Sequence, residues 1–188
     1  MSSVHAAPAL LRHYPPAAFP LAFHFTQGRF CAMETKEKPF PDVLPACGVL
    51  AAFDEKDRLT LTGYGEFVRY RAEQIVIKEG ESQDSLYFLI DGVLHALHKV
   101  RGGATPIGAI QAGEWFGEIN ILDPNKASAM VAARTPSLVW CISRARLEEF
   151  LNTCPTLGCL LLLGIAEVLA RRTRGLVARL NAAWEISW

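Results

Sequence analysis

The sequence predicts a mainly β domain, a sandwich or barrel of short strands with helices before and after it. From Glu66 to Ser143, apolar runs of five to eight residues alternate with turn-forming segments. Short strands at regular spacing are typical of sandwiches and barrels, and not of alternating βα units. After Ser143 the apolar residues recur at helical spacing. We therefore expect an N-terminal extension at 1–45, a β domain at 46–152 and a C-terminal helix at 153–188.

The first part of the chain is unlike the rest in composition. Residues 1–32 contain no Asp or Glu, two Arg and several Pro, Ala and His. This composition is typical of a disordered extension, or of sequence ahead of a start at Met33; a targeting segment is the alternative. From Ala46 to Gly63 the pattern predicts one or two short helices. One begins at Phe53 to Asp57, where acidic residues face the positive end of the helix dipole.

The β domain is predicted from six apolar runs separated by four breaks. A glycine inside a strand usually marks a bulge or bend, so Gly92 should bend the longest run. The runs are FVRYRA, QIVIKE, SLYFLIDGVLHALHKV, TPIGAI, SAMVAA and SLVWCIS. The breaks are EGESQD, RGGA, QAGEW and DPNK.

Two helices are predicted after the strands, RARLEEFL and then a long one from Pro155 to Ala183. Ten apolar or glycine residues in succession, Leu157 to Ala166, indicate a helix buried on most sides. We expect a two-fold dimer in which this helix pairs with its symmetry mate. The alternative is that Leu157 to Leu163 docks under the N-terminal helices of its own chain. The predicted seam is Leu161, Ile165, Leu169 and Leu176, with Gly164 permitting close approach.

Composition excludes several classes of protein. The chain is 51% hydrophobic with a formal net charge of zero, so no basic field draws it to nucleic acid or to an anionic membrane. Its longest apolar run is far shorter than the ~20 residues of a membrane span. The five cysteines show no CxxC or Cys/His metal spacing, and we expect reduced thiols in a cytoplasmic protein. No catalytic constellation is evident, so we do not expect an enzyme.

The loop from Phe116 to Ala133, FGEINILDPNKASAMVAA, carries the strongest functional signal. Gly117 lets a ligand approach the backbone, and a short helical turn, Glu118 to Leu122, should offer unpaired amides to an anion. The carboxylate of Glu118 repels a phosphate but accepts hydrogen bonds from a hydroxyl. A ligand that carries one negative charge and a sugar hydroxyl on the same edge fits this loop.

Residues 48–175 resemble a cyclic nucleotide-binding domain, as in catabolite activator-type regulators, protein kinase A regulatory subunits and gated channels. The resemblance runs in order through Asp84 to Gly92, Ala112 to Glu118 and Lys126 to Ala133. It implies a cyclic nucleotide-binding-type β-roll, a jelly roll with N-terminal helices and a long C-terminal helix. It also implies cAMP or cGMP as the ligand, with no metal.

The resemblance also implies roles for individual residues. Glu118 would hold the ribose 2′-hydroxyl, while backbone amides and an arginine would hold the phosphate. Here Ala127 occupies that arginine position; Lys126 precedes it and would supply the charge, and Ser128 would contact the phosphate. A lysine lacks the planar fork of an arginine. The predicted ligand-binding residues are Phe116, Gly117, Glu118, Ile119, Lys126, Ala127, Ser128, Ala129, Arg172 and Leu176.

The resemblance makes the C-terminal helix a lid over the base and a dimer contact. The candidate lid residues are Arg172, Thr173, Leu176 and Val177; alternatively Leu176 and Val177 pack on the roll or in a dimer seam.

His95 and His98 face opposite sides of a strand and do not form a metal site. Cys141 is expected in the core.

Three functions follow from these features. The first is a sensor that binds cAMP or cGMP and signals through its C-terminal helix, with a separate effector protein as a candidate partner. The second is a degenerate domain that binds no nucleotide and acts as a dimerising module, favoured by Ala127. The third, a DNA-binding regulator, needs a helix-turn-helix of ~60–80 residues, whereas about five follow Ala183.

Overall fold

Eight antiparallel strands form two four-stranded sheets in the computed structural model, which describes residues 39–185. The sheet orders are β1-β8-β3-β6 and β2-β7-β4-β5. The strands are β1 Glu66–Tyr70, β2 Ile75–Ile77, β3 Ser85–Asp91, β4 Val93–Val100, β5 Gly103–Gln111, β6 Trp115–Phe116, β7 Met130–Ala133 and β8 Ser137–Ser143. The predicted fold class, a β-roll with flanking helices, is confirmed.

Helices stand before, within and after the strands. A 3₁₀ helix at Gly48–Ala52 precedes α1 at Glu55–Thr62, and the Asp54 carboxylate caps α1 by accepting from the Asp57 amide at 2.7 Å. The later helices are α2 Glu118–Leu122, α3 Arg144–Thr153 and α4 Pro155–Glu185. The predicted start of α4 at Pro155 and the predicted bounds of α2 are confirmed.

Two strand predictions needed correction. The longest predicted run is two strands, β3 and β4, which separate at Gly92, where φ is +97°. The segment QAGEW, predicted as a break, contributes Trp115 to the two-residue strand β6, which pairs with β3. Two residues are too short a run to show an alternating pattern.

Apolar side chains form two clusters on the two sides of the first sheet. One cluster lies between the two sheets, and we call it the roll core. Its buried members are Ile77, Leu89, Leu94, Ile110, Phe116, Ala127, Val131, Ala133 and Val139. The other, the helix-side core, joins the opposite face of the first sheet to the helices through Trp115, Trp140, Leu50, Phe150, Leu161, Ile165 and others.

The first half of α4 packs within its own chain, so part of the predicted dimer seam is wrong. Leu161 and Ile165 are 0% and 2% exposed in the helix-side core, and Leu169 packs against it. A Cβ at Gly164 would lie 2.0 Å from Val49 Cγ1, so this glycine admits the 3₁₀ helix and not a symmetry mate. Helical periodicity indicated that this face is buried but not which chain buries it.

The described residues divide into two compact units after Ala170. The domain boundary expected at 152/153 stays a prediction. The second unit contains the distal half of α4, from Arg171 onward. Its large apolar side chains are exposed: Leu176, Val177, Leu180 and Trp184.

Among residues 39–185 no helix is long and apolar enough to cross a membrane. The expectations for residues 1–32 lie outside the described residues.

Candidate functional site

The candidate site begins where β6 turns sharply into α2. Gly117 adopts a left-handed conformation, with φ +80° and ψ 1°, that other residues rarely adopt. A Cβ there would also lie 2.7 Å from the Ser85 carbonyl oxygen of β3. The Phe-Gly-Glu order therefore lets the chain reverse tightly against the first sheet and begin α2 at once.

Glu118 follows this turn and is buried, with only 2% of its surface exposed. Burying a carboxylate away from water is costly unless hydrogen bonds compensate it. Asn120, 6% exposed, lies on the same short helix and donates from its Nδ2 to the Asn125 carbonyl. This bond ties the end of the loop to α2, so the loop folds back over the turn that carries Glu118.

The far end of the loop pairs with the turn that follows β2. The Ala127 amide donates to the Glu81 carbonyl at 2.9 Å, and the Gly80 amide donates to the Ala127 carbonyl at 2.8 Å. A further bridge joins Ser82 to Lys126. The segment Lys126–Ala129, which we call the closing segment, is thus held at the edge of the second sheet before β7 begins.

Ala127 and Lys126 lie on different sides of the closing segment. Ala127 is 6% exposed and belongs to the roll core with Phe116, so the structure brings the two ends of the loop together. Lys126 is exposed. The assignment of the Lys126 charge to the phosphate stays a prediction.

The other predicted site residues are distributed as follows. Phe116 is 2% exposed and stacks on Tyr87, with ring centroids 4.9 Å apart, whereas Ile119 is 52% exposed. The amides of Ser128 and Ala129 form no backbone hydrogen bond within residues 39–185. Arg172 is half-buried and Leu176 exposed on the distal half of α4, in the second unit, and their lid roles stay predictions.

Sequence analysis missed two tyrosines on the face of the first sheet that lines the roll. Tyr70 and Tyr87 are half-buried and pack against the roll core. Burial, together with Tyr87, Cys141 and Glu66, raises the pKa of Tyr70 to about 12. Burial also raises the pKa of Tyr87. The alternation in SLYFLID, in which Tyr87 and Leu89 are two apart, could have indicated that Tyr87 faces inward.

Cys141 lies beside Glu66 in the register of β8 and β1, and its thiol donates to the Glu66 carboxylate over 3.8 Å. Burial and this carboxylate raise the pKa of the thiol to about 11. Because the thiolate is the reactive form, Cys141 is a poor nucleophile. It is half-buried and belongs to neither apolar cluster, so it lies outside the core in which it was predicted. Residues 39–185 contain no group of three His, Cys, Asp or Glu side chains that could hold a metal ion.

Comparison with known proteins identifies the family of the roll. Residues 67–154 match the sequence model of the family described as Cyclic nucleotide-binding domain. This part of the chain is a member of the cyclic nucleotide-binding domain family. The match spans β1 to α3 and includes the whole loop from Phe116 to Ala133.

Solved structures agree with this assignment. A cyclic nucleotide-binding domain from Methylobacillus flagellatus superposes with a TM-score of 0.62 at 24% identity, covering 65% of this chain and 70% of that one. The catabolite activator protein of Thermus thermophilus gives 0.63 at 20%, covering 72% and 62%. The regulatory subunit of a cAMP-independent protein kinase A from Trypanosoma brucei gives 0.55 at 20%, covering 70% and 45%. At these identities the similarities show the fold.

Proposed function

We propose that this chain is a regulatory module that binds cAMP or cGMP in its roll and signals through its C-terminal helix. The observation that carries the proposal is the Glu118 carboxylate, buried directly after the left-handed Gly117 in a cyclic nucleotide-binding domain. An ionised carboxylate only accepts hydrogen bonds, and a ribose 2′-hydroxyl is a donor that suits it.

The remaining roles follow from the geometry of the loop. The Ser128 and Ala129 amides, which form no backbone hydrogen bond among the described residues, are candidate donors to the cyclic phosphate. Phe116, in the roll core, would line the ligand side of the turn, and Ile119 would lie at its exposed edge. Arg172 and Leu176 are the proposed lid residues. No step in this function requires catalysis, and the free described cysteines suit a reducing cytoplasm.

The test is calorimetric titration of the purified chain with cAMP, cGMP and larger cyclic dinucleotides, with Ala127→Arg alongside. A charged hydrogen bond contributes ~1.5–3 kcal/mol, so the variant should bind about ten- to a hundredfold more tightly than the wild type. Binding of a cyclic mononucleotide by the wild-type protein supports the proposal. A folded Ala127→Arg variant that binds none of these ligands refutes it.

One observation favours a second function, a degenerate domain that binds no nucleotide and works as a dimerising interaction module. The Ala127 methyl group, 6% exposed among the apolar residues of the roll core, stands where the family's arginine is expected. Proteins of this fold include a regulatory subunit described as cAMP-independent. Wild-type protein that binds no ligand, while Ala127→Arg does, would support this second function.

In both cases we propose a homodimer through the distal half of α4, with an effector protein as a further partner. Leu176, Val177 and Leu180 are 49–55% exposed there. Exposed apolar residues in a row are uncommon on monomers and are typical of an interaction surface.

A further inference from the structure

A histidine and a glutamate lie within hydrogen-bond distance of each other near the turn that holds the closing segment of the loop. His98 on β4 and Glu79, just after β2, approach to 2.9 Å between Nδ1 and Oε1. The second carboxylate oxygen of Glu79 accepts the Lys99 amide at 2.8 Å. The glutamate side chain is only 16% exposed and the imidazole is 56% exposed. Glu79 is therefore fixed by two bonds, while one edge of His98 stays accessible.

The pair occupies the place where β7 leaves its neighbours. β7 lies between β2 and β4 in the sheet, and its pairing with β4 ends at Met130 opposite Leu97. The preceding closing segment bonds instead to the turn after β2, through Gly80. Glu79 directly precedes Gly80, and its second carboxylate oxygen bonds to the Lys99 amide, so the pair joins the end of β4 to the turn that holds the closing segment.

Strand register places His98 on the side of the sheet that faces the roll core. Ala96 lies opposite Val131, which is a member of that core, and His98 is two residues further along β4. Side chains two apart on a strand share a face. His98 and the roll-core residue Ala127 are therefore assigned to the same face of the second sheet.

The bond to Glu79 determines what His98 can offer to a ligand. Because Nδ1 donates to the carboxylate, neutral His98 presents Nε2 as an acceptor, which repels a phosphate oxygen. After protonation Nε2 becomes a charged donor, which is the group that an anion needs. Both oxygens of Glu79 already have a partner, one in His98 and the other in the Lys99 amide.

We propose that protonated His98 supplies the positive charge for the ligand's phosphate that Ala127 cannot supply, so that nucleotide affinity falls as the pH rises. This inference rests on the proposed function and names the cationic residue of the same site. Cyclic nucleotide phosphodiesters stay singly negative at neutral and mildly acidic pH, whereas histidine is the side chain that can change its charge there.

The other charged groups around His98 do not duplicate its role. On the turn after β2, Lys78 and Glu81 pair with each other at 3.4 Å and are about 60% exposed. On β5 the residue opposite His98 is Thr105, which carries no charge. The two remaining lysines, Lys99 on β4 and Lys126 on the closing segment, are exposed and adjoin the corner without lying on its inner face.

The experiment is calorimetric titration with cAMP and cGMP at pH 5.5 and pH 8.0. Wild-type protein should bind about tenfold or more tightly at pH 5.5, and His98→Gln should bind weakly at both values. His98→Lys should bind tightly at both, because lysine stays charged. His95→Gln is the matched control. His95 is on the same strand opposite Ala132 and faces the other side of the sheet from His98, so this variant should keep the pH dependence of wild-type binding. Titration near pH 7 in two buffers of different ionisation enthalpy should reveal proton uptake in wild type but not in His98→Gln.

The outcomes separate this inference from the proposed function. If wild type and His98→Gln bind equally at both pH values, the role of His98 is overturned while nucleotide binding stands. If His95→Gln loses the pH dependence as His98→Gln does, the assignment to this face is overturned. If wild type, His98→Lys and Ala127→Arg all fail to bind at both pH values, both proposals are overturned.

Discussion

Replacing Gly164 with alanine tests whether the first half of α4 packs on the 3₁₀ helix of its own chain. A Cβ at this position would lie 2.0 Å from Val49 Cγ1 and 3.0 Å from Val49 Cβ and Cγ2. Real contacts are never so short, so one of the helices must shift. Valine has two heavy atoms on Cβ and few rotamers with which to move aside. Overpacking of this kind costs about 1–3 kcal/mol.

Gly175→Ala is the matched control for this substitution. Gly175 lies on the same helix, and a Cβ there would meet nothing within 4 Å. Alanine is favoured over glycine in a helix interior by roughly 1 kcal/mol, and this gain is shared by both variants. The difference between the two variants is therefore the steric cost at Val49. We expect Gly164→Ala to be less stable than Gly175→Ala by about 1–3 kcal/mol.

Urea denaturation followed by circular dichroism measures this difference from the midpoint and slope. Val49→Ala provides a rescue: in the double variant the clash is removed, so the two substitutions should show a favourable coupling free energy of about 1–3 kcal/mol. If Gly164→Ala is as stable as Gly175→Ala, and no coupling to Val49 appears, then α4 does not pack against the 3₁₀ helix as described.

Three further predictions concern the loop and the roll. Glu118→Ala should weaken cyclic nucleotide binding at least about tenfold in calorimetry. A 2′-deoxy analogue, which lacks the hydroxyl, should bind wild type and mutant about equally. Undiminished cAMP binding by the mutant would exclude Glu118 as the ribose ligand. The free energy of unfolding should fall as the pH rises from about 10 to about 12, because the folded chain holds the Tyr70 proton longer than the unfolded chain. Tyr70→Phe should reduce that fall in thermal denaturation, and an unchanged profile would contradict the burial of the phenol. At pH 8 iodoacetamide should label exposed Cys159 much faster than Cys141, because the pKa of the Cys141 thiol is about 11. Peptide mass mapping measures the two labelling rates. Equal rates would contradict the half-buried position of Cys141 beside Glu66.

The sequence was informative where one residue type alone meets a local requirement. Phe116 to Leu122 is such a place, since a glycine before an acidic helix start predicts the turn and the bounds of α2 without any knowledge of the sheets. Pro155 likewise marks the first turn of α4. These features depend on a few consecutive residues, and the structure has them where the sequence analysis placed them.

The features that sequence analysis missed depend on residues that are distant in the chain. Glu79 and His98 are nineteen positions apart and meet only because the turn after β2 folds beside the end of β4. Gly164 contacts Val49 across more than a hundred residues. Lys126 is exposed while its neighbour Ala127 is buried, so adjacency in sequence did not predict that the two side chains differ in burial.

The dimer prediction now depends on the distal half of α4, and the same substitution at two positions tests it. Leu176 is 55% exposed, so Leu176→Glu should leave the fold intact and convert a dimer to a monomer in sedimentation at micromolar concentration. Leu161 is fully buried in the helix-side core, so Leu161→Glu should instead unfold the domain, because it places an unpaired charge among apolar side chains. Leu169 packs against that core, so Leu169→Glu should both lower the stability of the domain and weaken the dimer. A wild-type chain that sediments as a monomer refutes the dimer, and a Leu176→Glu variant that stays dimeric places its contact elsewhere.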